Sequence, residues 1–327
     1  MKVVLICSLL YVAIVAILAR KRLPELHPKR FFLETWHELD REAAIDRALR
    51  AALYREDGSL ERAARYDWRP IVAYISLAVL LTMQEYYGDR GTFYRLRDLG
   101  WVIDYGGGLT NPVKHITFHG PLRWLHNDRW GDLYALGWWA VTRAGGYAVV
   151  PLIVITCWRE KFWDYGLRTK GFLDHAWIYA LFFGIVLIAV VIVSQTREFA
   201  NYYPFYYNAN RSWRDFFYWE MIYAFQFFAL EFFFRGYLMF SSEKSLGSGV
   251  IMAMVVPYCM IHFGKPVLET LGAILAGTVL GTLALKTRSI WSGFLIHVTV
   301  AVSMDLAALL QTRGLPGGFK LPVSWNF

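Results

Sequence analysis

The sequence predicts an all-α membrane protein, a bundle of about eight transmembrane helices. Apolar runs of bilayer length recur along the 327 residues, of which 56% are hydrophobic and only 18% are charged. A soluble domain normally carries about a quarter charged residues, so this composition is typical of a chain in lipid. The net charge of +8 implies no nucleic-acid partner, because Lys and Arg lie between the apolar runs, as in cytoplasmic loops of membrane proteins.

The first part of the chain is divided into an apolar and a polar segment. Residues 1–19 are predicted to form an uncleaved transmembrane helix, because basic residues follow the apolar core instead of preceding it. This order places the N-terminus outside and the basic end in the cytoplasm. Residues 20–69 repeat apolar side chains at helical spacing between many arginines. That pattern predicts an amphipathic cytoplasmic segment at an anionic membrane surface or, alternatively, a solvated helical linker.

Residues 70–163 are predicted to hold two transmembrane helices and a long connection. The first helix runs from Ile71 to about Met83 and the second from Asp132 to Trp158. Between them, Gly88–Trp130 contains no bilayer-length run and is rich in turn-forming residues, so we expect a loop that touches the membrane.

Residues 164–310 are predicted to form the functional core, and residues 311–327 an irregular tail. The expected helices of the core are Trp177–Val193, Phe216–Phe240, Val250–Phe263, Leu268–Leu285 and Ile290–Leu310. Gly277 and Gly281 lie one turn apart and are expected to allow close helix packing.

Ionisable side chains inside these last helices form the candidate site. Glu231 and Arg235 lie one helical turn apart in a very apolar run, so we expect them to pair. A charge inside the bilayer is costly, and such a pair marks either a structural contact or a functional site. The other ionisable residues of these helices are His262, Glu269, His297 and Asp305.

A hydrolytic centre is the chemistry that this set favours. Helices that follow each other in sequence tend to be neighbours, so Glu231, His262 and His297 are expected to meet around one polar cavity. A buried carboxylate can take a proton from water, and imidazoles can stabilise an oxyanion. Two imidazoles and a carboxylate can also bind Zn²⁺ and leave one position open for water. The sequence leaves both mechanisms open, with Zn²⁺ as a candidate cofactor.

Three motifs in order carry a resemblance to a known family: Glu231-x-x-x-Arg235-Gly236, Tyr258-x-x-x-His262 and His297. They resemble the CPBP family of intramembrane proteases, which includes CAAX prenyl proteases and Abi-like bacteriocin-processing proteins. The resemblance covers roughly Asp164 to Asp305. Within it, Tyr165-Gly166-Leu167-Arg168 is similar to a segment often found before the core helices of the family.

The resemblance implies an integral membrane peptidase of a bacterial inner membrane that acts on a membrane-associated protein or peptide. The family usually gives the water-activating role to the acid before Glu231, and that position is Leu230 here. We therefore expect the remaining Glu231 to activate water, and His262 and His297 to stabilise the oxyanion or, together with Glu231, to bind metal. Supporting roles are implied for Arg235, Tyr258, Glu269 and Asp305.

Three positions depart from the family pattern, of which Tyr258 in place of Phe is the mildest. Leu230 stands where the family has its leading glutamate, and Ala301 stands at the final Asn position of the third motif. Asp305 lies about 6 Å further along the helix axis, which is too far for a simple replacement. A catalytically inactive relative that binds a membrane partner, as an immunity or assembly protein, is therefore the alternative hypothesis.

Overall fold

A computed structural model describes residues 2–52, 67–105, 114–127, 129–170 and 172–320, and helices dominate it, which confirms the all-α expectation. The helices of the N-terminal half are α1 (Lys2–Leu18), α2 (Thr35–Ala52), α3 (Arg69–Tyr87), α4 (Arg90–Asp98) and α5 (Gly131–Trp158). Those of the C-terminal half are α6 (Ala176–Val193), α7 (Arg197–Tyr202), α8 (Trp213–Glu231), α9 (Glu243–Leu246), α10 (Gly249–Met260), α11 (Val267–Thr287) and α12 (Trp291–Thr312). The π-helical segments are Lys29–Glu34 and Phe232–Leu238, and the 3₁₀ turns are Leu23–Leu26, Arg123–Leu125, Phe162–Tyr165 and Phe172–His175.

The connection between α3 and α5 is more ordered than the expected loop. It contains α4 and an antiparallel hairpin of β1 (Gly100–Tyr105) and β2 (Lys114–His119), in which Gly100 lies opposite His119. Backbone hydrogen bonds between the two strands order this segment, although it contains no apolar run of bilayer length. The side chain of Asp89 caps α4, and its hydrogen bonds with Thr92 lower the pKa of the Asp89 carboxyl.

Four helices in the described part of the chain are long and apolar enough to cross a membrane: α5, α6, α11 and α12. The apolar helices α1 and α10 are shorter, at 17 and 12 residues. The polar residues Arg214, Asp215, Glu220 and Glu231 interrupt the apolar face of α8. The chain is thus an integral membrane protein, while the count of eight spans stays a prediction.

The polar segment after α1 packs against the C-terminal half of the molecule. In α2, Asp40 accepts a hydrogen bond from the backbone N–H of Ser248 at 2.8 Å. Trp36 Nε1 donates to Thr282 Oγ1 at 3.3 Å. Both contacts attach α2 to residues beside α10 and in α11, so this helix is part of the protein body. Its cytoplasmic location stays a prediction, and residues 53–66 lie outside the described residues.

Helix α8 packs against α5 with one face and leaves Phe217, Met221 and Phe225 exposed on another. It begins at Trp213, three residues before the predicted start, because Ser212 caps it by accepting from the N–H of Asp215. Helix α5 runs alongside, with the ring of Trp139 6.1 Å from that of Tyr223 and the ring of Tyr147 5.0 Å from that of Phe233. The two helices therefore run parallel, and their contacts extend past the end of α8 into the π-helical segment.

Close approach of α10 and α11 depends on the predicted glycine pair. A Cβ atom at Gly277 would lie 3.2 Å from Tyr258 Cδ1, and one at Gly281 would lie 2.9 Å from Met254 Cε. The small-residue packing expected from the sequence is therefore confirmed. It brings Tyr258 toward the centre of the bundle.

The segment Tyr165–Arg168 fixes the start of α12. The carbonyl of Gly166 accepts from the N–H of Ile290 at 2.9 Å, and the carbonyl of Leu167 accepts from Trp291 Nε1 at 3.0 Å. Gly166 has φ = 84°, a conformation that disfavours side chains with a Cβ. This docking sets the position of α12 and therefore of His297.

Candidate active site

The acid and the base at the end of α8 form a fully buried ion pair. Glu231 is the last residue of α8, and Arg235 lies in the π-helical segment Phe232–Leu238 that follows. Both side chains have no exposed surface, and Arg235 Nη1 donates to Glu231 Oε1. The predicted pairing is confirmed. The continuous helix expected from Phe216 to Phe240 instead changes its winding directly after the acid, as occurs at many functional sites.

His297 on α12 contacts the same carboxylate oxygen. Its Nδ1 lies 2.7 Å from Glu231 Oε1, and its ring stacks on Phe227 with 4.5 Å between centroids. An ionised carboxylate only accepts hydrogen bonds, so Nδ1 carries the proton and Nε2 has a lone pair. The hydroxyl of Tyr258, 3.1 Å from Nε2, donates to that lone pair. Glu231, His297 and Tyr258 thus form one hydrogen-bonded chain across three helices.

His262 joins this chain only through Tyr258. It lies in the turn after α10, which ends at Met260, so its predicted position inside a helix ending at Phe263 is wrong. His262 Nδ1 donates to the carbonyl oxygen of Tyr258 at 2.8 Å, and the two rings are 4.9 Å apart. This bond leaves His262 Nε2 with a lone pair. The expected three-way meeting is therefore direct for Glu231 and His297 only.

Several polar atoms of the pair have no hydrogen-bond partner among the described residues. These atoms are Glu231 Oε2, Arg235 Nε and Arg235 Nη2. The guanidinium of Arg235 stacks on the ring of Tyr258, 4.5 Å from its centroid. Glu231 Oε2 faces Gly293, where a Cβ would lie 2.6 Å from it. The free atoms therefore point away from the contacts that hold the pair.

A narrow crevice reaches the pair from the side of α6, α11 and the start of α12. Its lining residues are Tyr179, Glu231, Arg235, Leu280, Leu283, Ala284, Ser289, Ile290 and Gly293. It has no room for a water molecule in this conformation.

Comparison with known proteins identifies the segment that carries these residues. Residues 212–303 match the family model described as "Type II CAAX prenyl endopeptidase Rce1-like". This segment is therefore similar to Rce1-like endopeptidase domains, and residues 212–303 are called the Rce1-like domain below. The match includes all three motifs and confirms the resemblance to the CPBP proteases. No curated protein and no solved structure matches the chain.

Glu269, expected in a supporting role, lies in a separate polar cluster. It pairs with Lys265 at 2.7 Å and accepts hydrogen bonds from the hydroxyl of Tyr203 at 2.9 and 3.0 Å. These contacts join the start of α11 to the end of α7. Among the described residues, Glu269 therefore makes no hydrogen bond or ion pair with Glu231 or with either histidine.

Asp305 also lies apart from the Glu231–His297 contact. It is fully buried, and its carboxylate accepts from Trp219 Nε1 at 2.8 Å and from the backbone N–H of Phe205 at 3.1 Å. Asp305 follows His297 by eight residues, about 12 Å along α12. Its contacts are those of a structural anchor for the loop after α7.

The two residues that replace polar residues of the family pattern also lie in apolar surroundings. Leu230 is 4% exposed and packs in the largest hydrophobic cluster, and Ala301 is 6% exposed in a second cluster. Both departures from the family pattern are thus accommodated by apolar packing.

A zinc site requires three or more ligands that converge. Among the described residues, no three His, Cys, Asp or Glu side chains are placed to hold a metal ion. Glu231 Oε1 is already bonded to Arg235 and His297, and His297 Nε2 to Tyr258. The donor set in this arrangement does not fit the metal, and zinc stays a prediction.

Two residues of the site were missed by the sequence reasoning. Gly293 gives the Glu231 carboxylate its space, and Phe227 supports the ring of His297. The sequence spacing could have identified both residues, because Gly293 and Phe227 precede His297 and Glu231, respectively, by four positions. Residues four apart share a helix face.

Proposed function

We propose that the Rce1-like domain is an intramembrane endopeptidase that hydrolyses a peptide bond of a membrane-associated protein or peptide. The family description supports the reaction class, and it names prenylated CAAX proteins as the substrate class to test first. The observation that carries the proposal is the state of Glu231. Its carboxylate is fully buried and held at Oε1 by Arg235 and His297, while Oε2 has no partner among the described residues.

In the proposed mechanism, Glu231 Oε2 is the general base. A water molecule beside Oε2 loses a proton to it and attacks the carbonyl carbon of the peptide bond. Glu231 then returns the proton to the leaving amine nitrogen as the carbon–nitrogen bond breaks. Fixing Oε1 with two donors holds the carboxylate in one orientation throughout these steps.

Arg235 is the proposed donor to the oxyanion. Both histidines donate a hydrogen bond from Nδ1: His297 donates to Glu231, and His262 donates to the carbonyl oxygen of Tyr258. Their neutral Nε2 atoms are acceptors, so an oxyanion role for either ring requires a second proton. Arg235 Nε and Nη2 are N–H donors without a partner in the described part of the chain, and their charge suits a developing negative oxygen.

Access to the pair requires movement in the proposed mechanism. Because the crevice holds no water molecule, α6 or the start of α12 has to shift before substrate and water enter. Gating of this kind is common in enzymes that exclude water until substrate binds.

A non-catalytic relative is the second candidate function. It is favoured by Leu230 and Ala301, which pack as apolar residues where the family has polar ones. In that case Glu231 and Arg235 are a structural ion pair, and the domain binds a membrane partner without cleaving it.

One assay separates the two functions. The full chain in lipid nanodiscs is incubated with fluorogenic peptides, prenylated and unprenylated, as wild type and as Glu231→Gln, His262→Ala and Glu42→Gln. We expect Glu231→Gln to lower turnover roughly 10²- to 10⁴-fold, because it removes the base, and Glu42→Gln, an exposed change on α2, to leave turnover unchanged.

Equal turnover in wild type, Glu231→Gln and His262→Ala would remove the peptidase proposal. A partner that binds all of these variants with no cleavage would support the non-catalytic function. A metal chelator added to the wild type tests zinc in the same assay, since a zinc-dependent activity is lost and then restored by added Zn²⁺.

A further inference from the structure

A groove lies between α6 and α12, two of the helices that are long and apolar enough to cross a membrane. One face of each helix lines it, and the lining residues include Ala176, Tyr179 and Phe183 on α6 and Ser292, Leu295 and Thr299 on α12. None of its lining residues carries a charge. Leu295 is 51% exposed, so the groove is open on its outer side, where a membrane-spanning helix contacts lipid.

Tyr179 lies between this groove and the crevice that reaches the Glu231–Arg235 pair. Among the described residues, it alone lines both. It is 8% exposed and packs in one hydrophobic cluster with Leu280 and Leu283, which also line the crevice. The groove has a volume of about 230 Å³, whereas about 10–15 Å³ holds one water molecule and the crevice holds none. Tyr179 therefore separates an open space from a closed site.

The start of α12 brings the groove to the same depth as the carboxylate. Ser292 lines the groove, and the next residue, Gly293, lines the crevice. A Cβ atom at Gly293 would lie 2.6 Å from Glu231 Oε2. Since consecutive Cα atoms are about 3.8 Å apart, the groove and the free carboxylate oxygen lie at nearly the same level of α12.

Packing holds Tyr179 in its closed position. Its hydroxyl faces those of Thr287 and Ser292. However, Thr287 Oγ1 already donates to the carbonyl oxygen of Leu283 at 2.8 Å, and the buried Ser292 Oγ makes no hydrogen bond within the described residues. In this part of the chain no close hydrogen bond fixes the ring, so a shift of α6 or α12 is enough to let it change rotamer.

We propose that an apolar segment of the peptide substrate enters from lipid through this groove, and that Tyr179 is the gate between the groove and Glu231. The inference rests on the proposed peptidase function and adds an entry route to it. An uncharged groove favours an apolar segment, whose burial there is favourable. A lipid acyl chain also suits the groove, but only a substrate has to continue past Tyr179 to the carboxylate.

The test of the gate measures how fast a thiol behind Tyr179 reacts with N-ethylmaleimide in lipid nanodiscs. The three native cysteines are changed to Ala, and Ala284→Cys introduces a thiol in the crevice, at a position that is 3% exposed. Labelling of a closed site requires local opening, so its rate reports the open population. We expect Tyr179→Ala to raise the rate at least about 10-fold, because the crevice then joins the groove.

Tyr179→Phe keeps the ring and should label within about 2-fold of the parent, because no close hydrogen bond is lost. The matched control is Phe182→Ala, which removes a ring of α6 that contacts Phe31 at 6.4 Å and lines neither space. It should leave the rate unchanged. Should Tyr179→Ala fail to fold, Tyr179→Leu takes its place with the same expected direction.

Equal rates in the parent and the opened variant overturn the gate, as does an equal rise in Phe182→Ala. A sulfonated maleimide, which stays in water, tests the direction of entry. It should label the opened variant more slowly than N-ethylmaleimide does, and labelling at the same rate would place the opening toward water and overturn the route from lipid.

Protection of the groove identifies its occupant. Thr299→Cys places a thiol at the exposed rim, in the same cysteine-free background with Glu231→Gln so that peptide is not cleaved. An apolar hexapeptide amide at ten times its Kd should slow labelling roughly 10-fold, and a polar hexapeptide amide should not. Labelling that the apolar peptide leaves unchanged assigns the groove to lipid and overturns the inference.

The same variants separate the entry route from the peptidase function. A gate and peptide protection in a protein that never cleaves peptide would keep the route and remove the peptidase function. Peptide cleavage with equal labelling in the parent and Tyr179→Ala would do the reverse.

Discussion

His297 Nδ1 lies 2.7 Å from Glu231 Oε1, and this contact joins the middle of the bundle to its last helix. The acid comes from the end of α8 and the imidazole from the second turn of α12. Neither helix could present its polar group to lipid at low cost, so each residue supplies the partner that the other needs. Both candidate functions require this contact. A hydrolytic base and a structural ion pair each need the Glu231 carboxylate to be held in one position.

The first prediction concerns the buried ion pair. Arg235→Met leaves the Glu231 carboxylate buried with His297 as its remaining partner, and we expect it to lower the free energy of unfolding by about 3–5 kcal/mol. The double variant Arg235→Met with Glu231→Gln removes the charge and keeps an acceptor for His297 Nδ1. It should recover most of the loss, as measured by thermal unfolding in detergent. A double variant as unstable as the single one would contradict a charge-based cost.

The sequence predicted the meeting of Glu231, Arg235 and His297 because the rules involved are simple. Residues four apart on a helix share a face, and consecutive helices tend to pack together. The position of His262 could not be predicted in the same way. It depends on where α10 ends, and the turn after Met260 moves the ring away from the carboxylate.

Other parts of the fold depended on contacts that a linear pattern does not reveal. The hairpin of β1 and β2 forms through pairing between strands, and the π-helical winding begins directly after Glu231, inside an apolar run that the sequence predicts as one helix. The sequence places Asp305 in the candidate site because it is an ionisable residue of the same helix as His297. Its burial is instead explained by Trp219 and Phe205, which lie far away in sequence.

The second prediction tests the space beside the carboxylate. In Gly293→Ala the new Cβ would lie 2.6 Å from Glu231 Oε2, so the carboxylate has to move. We expect a loss of about 1–3 kcal/mol of stability and a fall in turnover, because the proposed base is displaced. The matched control is Gly272→Ala on α11, where a Cβ meets nothing within 4 Å. That change should be neutral or stabilise the helix by up to about 1 kcal/mol.

For both glycine variants, thermal unfolding in detergent measures the change in stability, and a peptide cleavage assay measures the change in turnover. If Gly293→Ala and Gly272→Ala behave alike, the close approach of Gly293 to the carboxylate has no consequence.

The third prediction concerns the hydroxyl of Tyr258. Tyr258→Phe keeps the ring under Arg235 and removes the donor to His297 Nε2, so the fold should be retained. The loss of one hydrogen bond of ordinary strength corresponds to roughly a 2- to 12-fold fall in kcat, with KM unchanged, if the hydroxyl positions His297. Tyr258→Leu, which also removes the cation–π contact, should lower the melting temperature as well. An unchanged kcat in Tyr258→Phe would show that His297 needs no support from this side.

The last prediction separates Asp305 from the chemistry. Its carboxylate satisfies the indole N–H of Trp219 and the backbone N–H of Phe205, both inside the bundle. Asp305→Ala leaves these donors without an acceptor and should cost about 1–3 kcal/mol for each of them, while Asp305→Asn keeps an acceptor and should cost less. Because Asp305 lies about 12 Å along α12 from His297, peptide turnover per folded molecule should be the same in Asp305→Asn and wild type. A selective loss of turnover in Asp305→Asn, with its melting temperature unchanged, would place Asp305 in the reaction after all.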